Sequence, residues 1–217
     1  VANHLAFVSA AGGATGFEGG MLTYTAPYIS GRESFGTIQD AANAWQKIDR
    51  LLGMFSFDRE SFGSMTTTHI HPAIAVAVTI LEALMVAMQG VKSVSLGMNE
   101  IGNRGQDVAA FIALRKLAKT EMERFDFGNV ALSTVFYQFM GGFARDGEKA
   151  RQMIIESAAS AYYANADRVV IKTKVEASRI PTLKDNLEAV SDVKLGFELA
   201  KGSYLLNDRL VAEEAES

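Results

Sequence analysis

Residues 91–125 read VKSVSLGMNEIGNRGQDVAAFIALRKLAKTEMERF, and the pattern changes twice along them. The first six, 91–96, make a short strand-like run between Gly90 and Gly97. Residues 97–105 hold three glycines and read as a loop. Residues 106–125 contain neither glycine nor proline, and Arg115, Lys116, Lys119, Glu121 and Glu123 give them one charged outer face, so they are expected to form a helix.

The same succession extends outward on both sides. Upstream, a strand is expected at 63–68, then Pro72 as a good first helical residue, then a helix over 73–89 that Gly90 ends. Downstream come a strand at 130–137, a glycine-containing loop at 138–145 and a helix at 147–165. A strand at 168–173, a loop at 174–181 and a helix from 183 to about 206 follow. Strand, loop and helix thus repeat at a spacing of roughly 35 to 45 residues. Val169, Val170 and Ile171 have the unbroken apolar character of a strand buried on both faces. The loops after the strands are long and hold the unusual residues, whereas those before them are short. That asymmetry is the mark of a (β/α)8 TIM barrel, whose site lies at the C-terminal ends of its strands.

The expected class is therefore α/β, of the TIM-barrel family, with about five βα units where a closed barrel has eight. The chain is read as a single partial barrel domain over 1–217 that carries the later strands, with 212–217 as a frayed tail. An open doubly wound sheet is the alternative. Before the repeats, 1–11 read as the end of an amphipathic helix with Leu5, Phe7 and Val8 turned inward, stopped by Gly12 and Gly13. Residues 37–52 return to helical spacing, with Ile38, Ala41, Trp45, Ile48, Leu51 and Leu52 on one stripe.

Composition narrows the function. Hydrophobic residues make up 48% of the 217, which implies a substantial core. A net charge of −4 supplies no basic footprint, so no nucleic-acid partner is expected. The chain has no cysteine, which excludes disulfides and thiolate metal sites from it and is compatible with a cytoplasmic location. No secretion signal is read at Val1, and the longest apolar run, 73–88, is broken by Thr79 and Glu82, so no membrane span is expected. That nearly all-apolar helix is expected to be covered by another element or subunit.

Several constellations bear on chemistry. In 16–28, Glu18 stands among glycines, followed by Tyr24, Pro27 and Tyr28. A carboxylate that a ligand can approach closely is suited to an ammonium group, and two phenols add donors and acceptors. A surface loop with a solvated glutamate is the plain alternative. His69 and His71, two apart, resemble the metal pair of amidohydrolase barrels, but a metal site takes three or four ligands. The 97–105 loop opens a helix and suits an anion, although it lacks a Walker ending. Lys172 ends a buried strand with Glu176 four residues on, where a charge is costly unless paired or solvated. No serine-nucleophile motif is present.

Taken together, a series of short segments is similar to the epsilon, or large catalytic, subunit family of methylaspartate mutase, also called glutamate mutase. They are Glu18-Gly-Gly with Tyr24, Pro27 and Tyr28; Arg59-Glu60-x-Phe62-Gly63; Gln89-Gly-Val-Lys92; and Gly102-Asn103 with Gln106-Asp107. Val135-Phe136, Met140-Gly-Gly-Phe143, Val170-Ile-Lys-Thr173, Glu176-Ala177 and Ile180-Pro-Thr182 complete the set, and the resemblance runs from about Gly12 to Lys201. It implies a (β/α)8 barrel that binds adenosylcobalamin against a small cobalamin-binding subunit. It also implies radical interconversion of L-glutamate and (2S,3S)-3-methylaspartate. Cobalt–carbon homolysis would give an adenosyl radical that takes a hydrogen from substrate.

By the same resemblance, Glu18 would accept the substrate ammonium, and Tyr24 and Tyr28 would bind substrate. Pro27, Phe143, Lys172, Glu176 and Ile180 match cofactor-contacting positions, with Lys172 and Glu176 beside the adenosyl ribose. Glu18 and Lys172 are the expected catalytic residues, and a homodimer of the large subunit the expected assembly. The arginines that hold the two substrate carboxylates in the family lie on earlier strands, so this chain alone is not expected to bind glutamate well. The segment 68–72, with its histidines, and Lys174-Val175 depart from the family pattern. A metal-dependent barrel hydrolase using His69 and His71, and a non-catalytic scaffold, are the alternative readings.

Overall fold

In the computed structural model, residues 2–22, 37–62, 70–202, 211 and 215 are described. The elements follow one another as α1 (Ala2–Ala11), β1 (Gly16–Gly19), α2 (Ile38–Met54), β2 (Asp58–Phe62), α3 (Pro72–Ala87) and β3 (Ser93–Asn99). Then come α4 (Arg104–Arg124), β4 (Ala131–Tyr137), α5 (Gly147–Tyr163), β5 (Arg168–Val170) and α6 (Leu183–Lys201). The sheet order is β1-β2-β3-β4-β5, so each strand lies beside its neighbours in sequence. β1 pairs parallel to β2, β2 to β3 and β4 to β5. A doubly wound sheet reverses its strand order, whereas a βα barrel adds strands in one direction. The fold is α/β with the consecutive parallel strands of a partial TIM-like barrel.

The chain divides into two compact units. The first comprises Val1–Met65, Ala73–Gly97 and Leu114–Ser133, and the second Thr66–Pro72, Met98–Ala113 and Thr134–Ser217. In the first, β2 alternates strictly. Arg59 and Ser61 turn to the helices, Arg59 bonding Asp49 on α2 and the Ser61 hydroxyl donating to the Thr79 carbonyl on α3. Asp58 and Glu60 therefore point to the opposite face. There Asp58 accepts hydrogen bonds from the Ser93 and Ser95 hydroxyls at 2.7 and 2.5 Å, and Ser95 meets Ser133 at 2.9 Å. Helix α2 begins with a reciprocal cap between Thr37 and Asp40.

In the second unit α5 packs on α6. Ile154, Ala158 and Val193 form its apolar centre, with Phe143, Ile171 and Phe197 packed against it. Phe111 stacks on Phe136 at 4.9 Å. Thr182 and Asp185 cap α6 reciprocally, and Arg179 closes on the Asp185 carboxylate at 2.7 Å, which with the Thr182 bonds holds that carboxyl well below its ordinary range. The helices come close enough at Gly196 that a Cβ there would lie 2.4 Å from the Ile155 carbonyl oxygen.

Several expectations change, among them the burial of β5, where Val169 is half-buried and Val170 exposed rather than both covered on two faces. The strand of the second repeat is Asp58–Phe62, and 63–69 lie outside the described residues. Its polar composition hid it, because both of its faces carry hydrogen-bonding side chains. Glu18 is the third of four residues in β1, so the plain alternative of a surface loop falls; pairing with β2 overrides the low strand preference of its glycines. On α1 Ala6 is buried, while Leu5, Phe7 and Val8 are exposed, and α1 packs on α2. On α3, Val76 is buried, and the outward apolar stripe is Ile74, Leu81 and Met85, continued by Met88. Among the described residues no helix is long and apolar enough to cross a membrane.

Gly196→Ala is expected to overpack the α5–α6 contact and lower unfolding free energy by about 1–3 kcal/mol, read from urea denaturation. An unchanged midpoint would show that the two helices can part without cost.

Candidate functional site

Glu18 is the third residue of β1 and is Cα partner to Glu60 on β2. In a parallel ladder registered partners share a face, so Glu18 lies on the face turned away from α2 and α3. Glu18, Asp58, Glu60, Ser93 and Ser95 belong to that face, and all five are polar. The interior of most barrels is filled by branched apolar side chains. A face of carboxylates and hydroxyls is suited instead to a polar, cationic group.

The backbone around Glu18 is fixed from the helix side. Arg59 is fully buried, and its Nη1 donates to the carbonyls of Phe17 at 3.2 Å and Gly19 at 2.8 Å, the two residues flanking Glu18. The same nitrogen donates to the Glu60 carbonyl at 2.9 Å, and Nε to Asp49 Oδ1 at 2.8 Å. The guanidinium lies 4.8 Å from the centre of the Trp45 ring. Burial raises the Asp49 carboxyl pKa, and Arg59 only partly offsets this. The two glycines after Glu18 have a steric cause. Gly19 has φ of 138° and Gly20 of 154°. A Cβ on Gly19 would fall 2.4 Å from the Trp45 ring, and one on Gly20 1.2 Å from Glu82 Oε1. The chain must pass between these side chains and the strand, and only glycine allows it.

In the second unit, Lys172 stands two residues beyond β5 and its Nζ meets Glu176 Oε1 at 2.6 Å. Both side chains keep partial access to solvent. Thr173 beside them is buried, and its hydroxyl has no hydrogen-bond partner among the described residues. Ile180, 89% exposed, lies in the same post-strand loop. Phe143 is half-buried against Ile154, Ala158 and Val193. Tyr24, Pro27, Tyr28 and His69 lie outside the described residues, and His71 is exposed. Among the described residues no group of three or more His, Asp or Glu side chains is placed to hold a metal ion.

The loop after β3 holds a feature that spacing alone did not reveal. Glu100 and Asp107 line a cavity of about 270 Å³ with Arg104, Phe139, Met153 and Ser157. Glu100 accepts from the Phe139 N–H at 3.0 Å, and Asp107 from Ile101 and Gly102 at 2.7 and 3.1 Å. Burial pushes Glu100 up to about 7, the Ser157 hydroxyl and the Phe139 N–H offsetting it in part. Burial likewise pushes Asp107 up to about 6 against the bonds from the loop backbone.

The family described as Methylaspartate mutase E chain (MutE) matches residues 1–217. The chain is 38% identical over 211 residues to the glutamate mutase epsilon subunit of Treponema denticola, covering 95% of this chain and 43% of that protein. Identity to the Desulfitobacterium hafniense glutamate mutase epsilon subunit is 35% over 216 residues, 97% of this chain and 44% of the relative. To that of Yersinia enterocolitica it is 40% over 187 residues, 84% and 38% respectively. The chain thus spans less than half the length of these relatives.

Two outcomes follow from this geometry. Replacing Arg59 by Met leaves Asp49 buried without its counter-charge, and about 3–5 kcal/mol of unfolding free energy should be lost. Calorimetry should show part of it regained when Asp49 becomes Leu as well. The second concerns pH. Glu100 keeps its proton to about 7 in the folded chain against an ordinary value of 4.5, so the folded state binds more protons between those values. Its stabilising contribution is complete below the lower value and is lost as pH rises through the upper one. Urea midpoints taken from about pH 5 to about pH 8 should fall less in Glu100→Gln than in the parent chain.

Proposed function

The chain belongs to the methylaspartate mutase E chain family, and on that basis we propose that it serves in the large catalytic subunit of an adenosylcobalamin-dependent mutase interconverting L-glutamate and (2S,3S)-3-methylaspartate. The observation that carries this reading is the seating of Glu18. Its carboxylate stands on a polar strand face, and a buried guanidinium fixes the carbonyls on both sides of it.

In this reading Glu18 accepts the substrate ammonium. A carboxylate whose backbone cannot shift holds that group at one position, so the substrate carbon skeleton is presented in one orientation. Tyr24 and Tyr28 complete the substrate contacts. Adenosylcobalamin, when bound, supplies the radical chemistry of the rearrangement. The residues after β5 are suited to its ribose: Lys172 would donate to one hydroxyl and Glu176 accept from another, and the next residue, Thr173, has a buried hydroxyl without a protein partner among the described residues. Pro27, Phe143 and Ile180 supply apolar contact to the cofactor. The partners are a small cobalamin-binding subunit and a second large subunit, in the cytoplasm.

The test uses the full-length large subunit with its small subunit, adenosylcobalamin and L-glutamate, following 3-methylaspartate by NMR. Glu18→Gln should lower kcat/KM by about 100-fold, as expected for loss of a charge-assisted contact. Lys172→Met should weaken cofactor binding by about tenfold and leave the KM for glutamate unchanged. Absence of any methylaspartate from the parent protein would sink the reading.

A further inference from the structure

Gln138 is the first residue past β4, and its side chain is fully buried. Its backbone N–H donates to the Val170 carbonyl at 3.2 Å, the last bond between these chain segments that backbone alone makes. Beyond it the side chain takes over. Gln138 Oε1 accepts the Lys172 backbone N–H at 2.7 Å, and Nε2 donates to the Ile154 carbonyl on α5 at 3.0 Å. β5 is only three residues long, so no ladder bond reaches Lys172. Ile154 belongs to the apolar centre on which Phe143 and Ile171 pack.

We propose that Gln138 is a positioning residue that fixes the Lys172 backbone, so that the Lys172–Glu176 pair is presented to a bound ligand in one orientation. This rests on the reading of Lys172 and Glu176 as holders of the cofactor ribose. The side-chain chemistry is specific. The position needs an acceptor for an N–H and a donor for a C=O at once. A neutral amide has both, an ionised carboxylate has only acceptors, and a thioether has neither in useful strength. A buried N–H left without its acceptor is destabilised far more than an exposed one, so the Lys172 segment would open locally before the unit unfolds.

The experiment compares Gln138→Met and Gln138→Glu in the full-length large subunit, each with Lys172 present and with Lys172→Met. Amide hydrogen exchange is read in the cofactor-free subunit, and Kd for adenosylcobalamin with the small subunit added. Gln138→Met should speed exchange at the Lys172 amide by about tenfold, with the α5 and α6 amides unchanged. It should raise the cofactor Kd by about tenfold, and that effect should vanish when Lys172 is already Met. Gln138→Glu keeps the acceptor for the Lys172 N–H and loses only the donor to the Ile154 carbonyl, so it should raise the Kd by only about threefold, which also serves if the methionine variant does not fold. Unchanged exchange at Lys172, an equal loss of affinity in both Lys172 backgrounds, or a glutamate variant as weak as the methionine one would overturn the proposal. If Lys172→Met itself leaves the Kd unchanged, the functional reading of Lys172 fails and the role of Gln138 falls with it.

Discussion

A buried guanidinium is tolerated only where its charge is answered, and Arg59 meets a carboxylate, three carbonyls and an indole ring, leaving only Nη2 without a hydrogen-bond partner among the described residues. Desolvating such a charge costs several kcal/mol, which pairing must offset. The consequence is geometric. Because one nitrogen on β2 serves the carbonyls of both Phe17 and Gly19, β1 and β2 cannot slide past one another without breaking both bonds. The register that sets Glu18 beside Glu60 is held by the Arg59 side chain, on the helix side of the sheet, as much as by the ladder. Trp45 and Glu82 then crowd the chain just beyond, and the residues there are glycines for that reason.

The second unit solves a similar problem with a neutral group. Where β5 stops, the amide of Gln138 continues the hydrogen bonding that the backbone has given up, and it reaches α5 with its other end. In both units a polar side chain buried at a strand holds the backbone next to a charged residue that stays open to solvent. The difference is in strength and cost. Arg59 makes a charged and therefore unforgiving clasp, while Gln138 makes two ordinary hydrogen bonds in a dry place.

The rhythm of strand and helix was plain in 91–125 because its strand is apolar, its helix lacks glycine and proline, and its loop is rich in glycine. The strand order followed from it. β1 and β2 were harder to see, since GFEG and DRESF lack the apolar alternation that marks a half-buried strand. Their burial depends on partners distant in sequence, Asp49 for Arg59 and Thr79 for Ser61. Arg59 stood out only as one letter of a family segment, with nothing local to say that it is fully buried. Gln138 gave no signal, because a glutamine after a strand is ordinary until its partners at 154 and 172 are known. The burial of Glu100 was hidden in the same way, since helix α5 supplies the neighbour that covers it. The pairing of Lys172 with Glu176, four apart, was legible because it is local.

The strand face that carries Glu18, Asp58, Glu60, Ser93 and Ser95 has a thermodynamic consequence of its own. Polar surface lowers the heat capacity of unfolding when it is exposed, whereas apolar surface raises it. Carboxylates and hydroxyls at these positions of β1, β2 and β3 therefore give a flatter stability curve than apolar side chains at the same places would. A carboxylate open to solvent, as Glu18 is, must give up water when a ligand arrives. Entry of a small charged molecule is then an exchange of solvent for solute, and its binding heat should carry the signature of water release rather than of newly covered hydrocarbon.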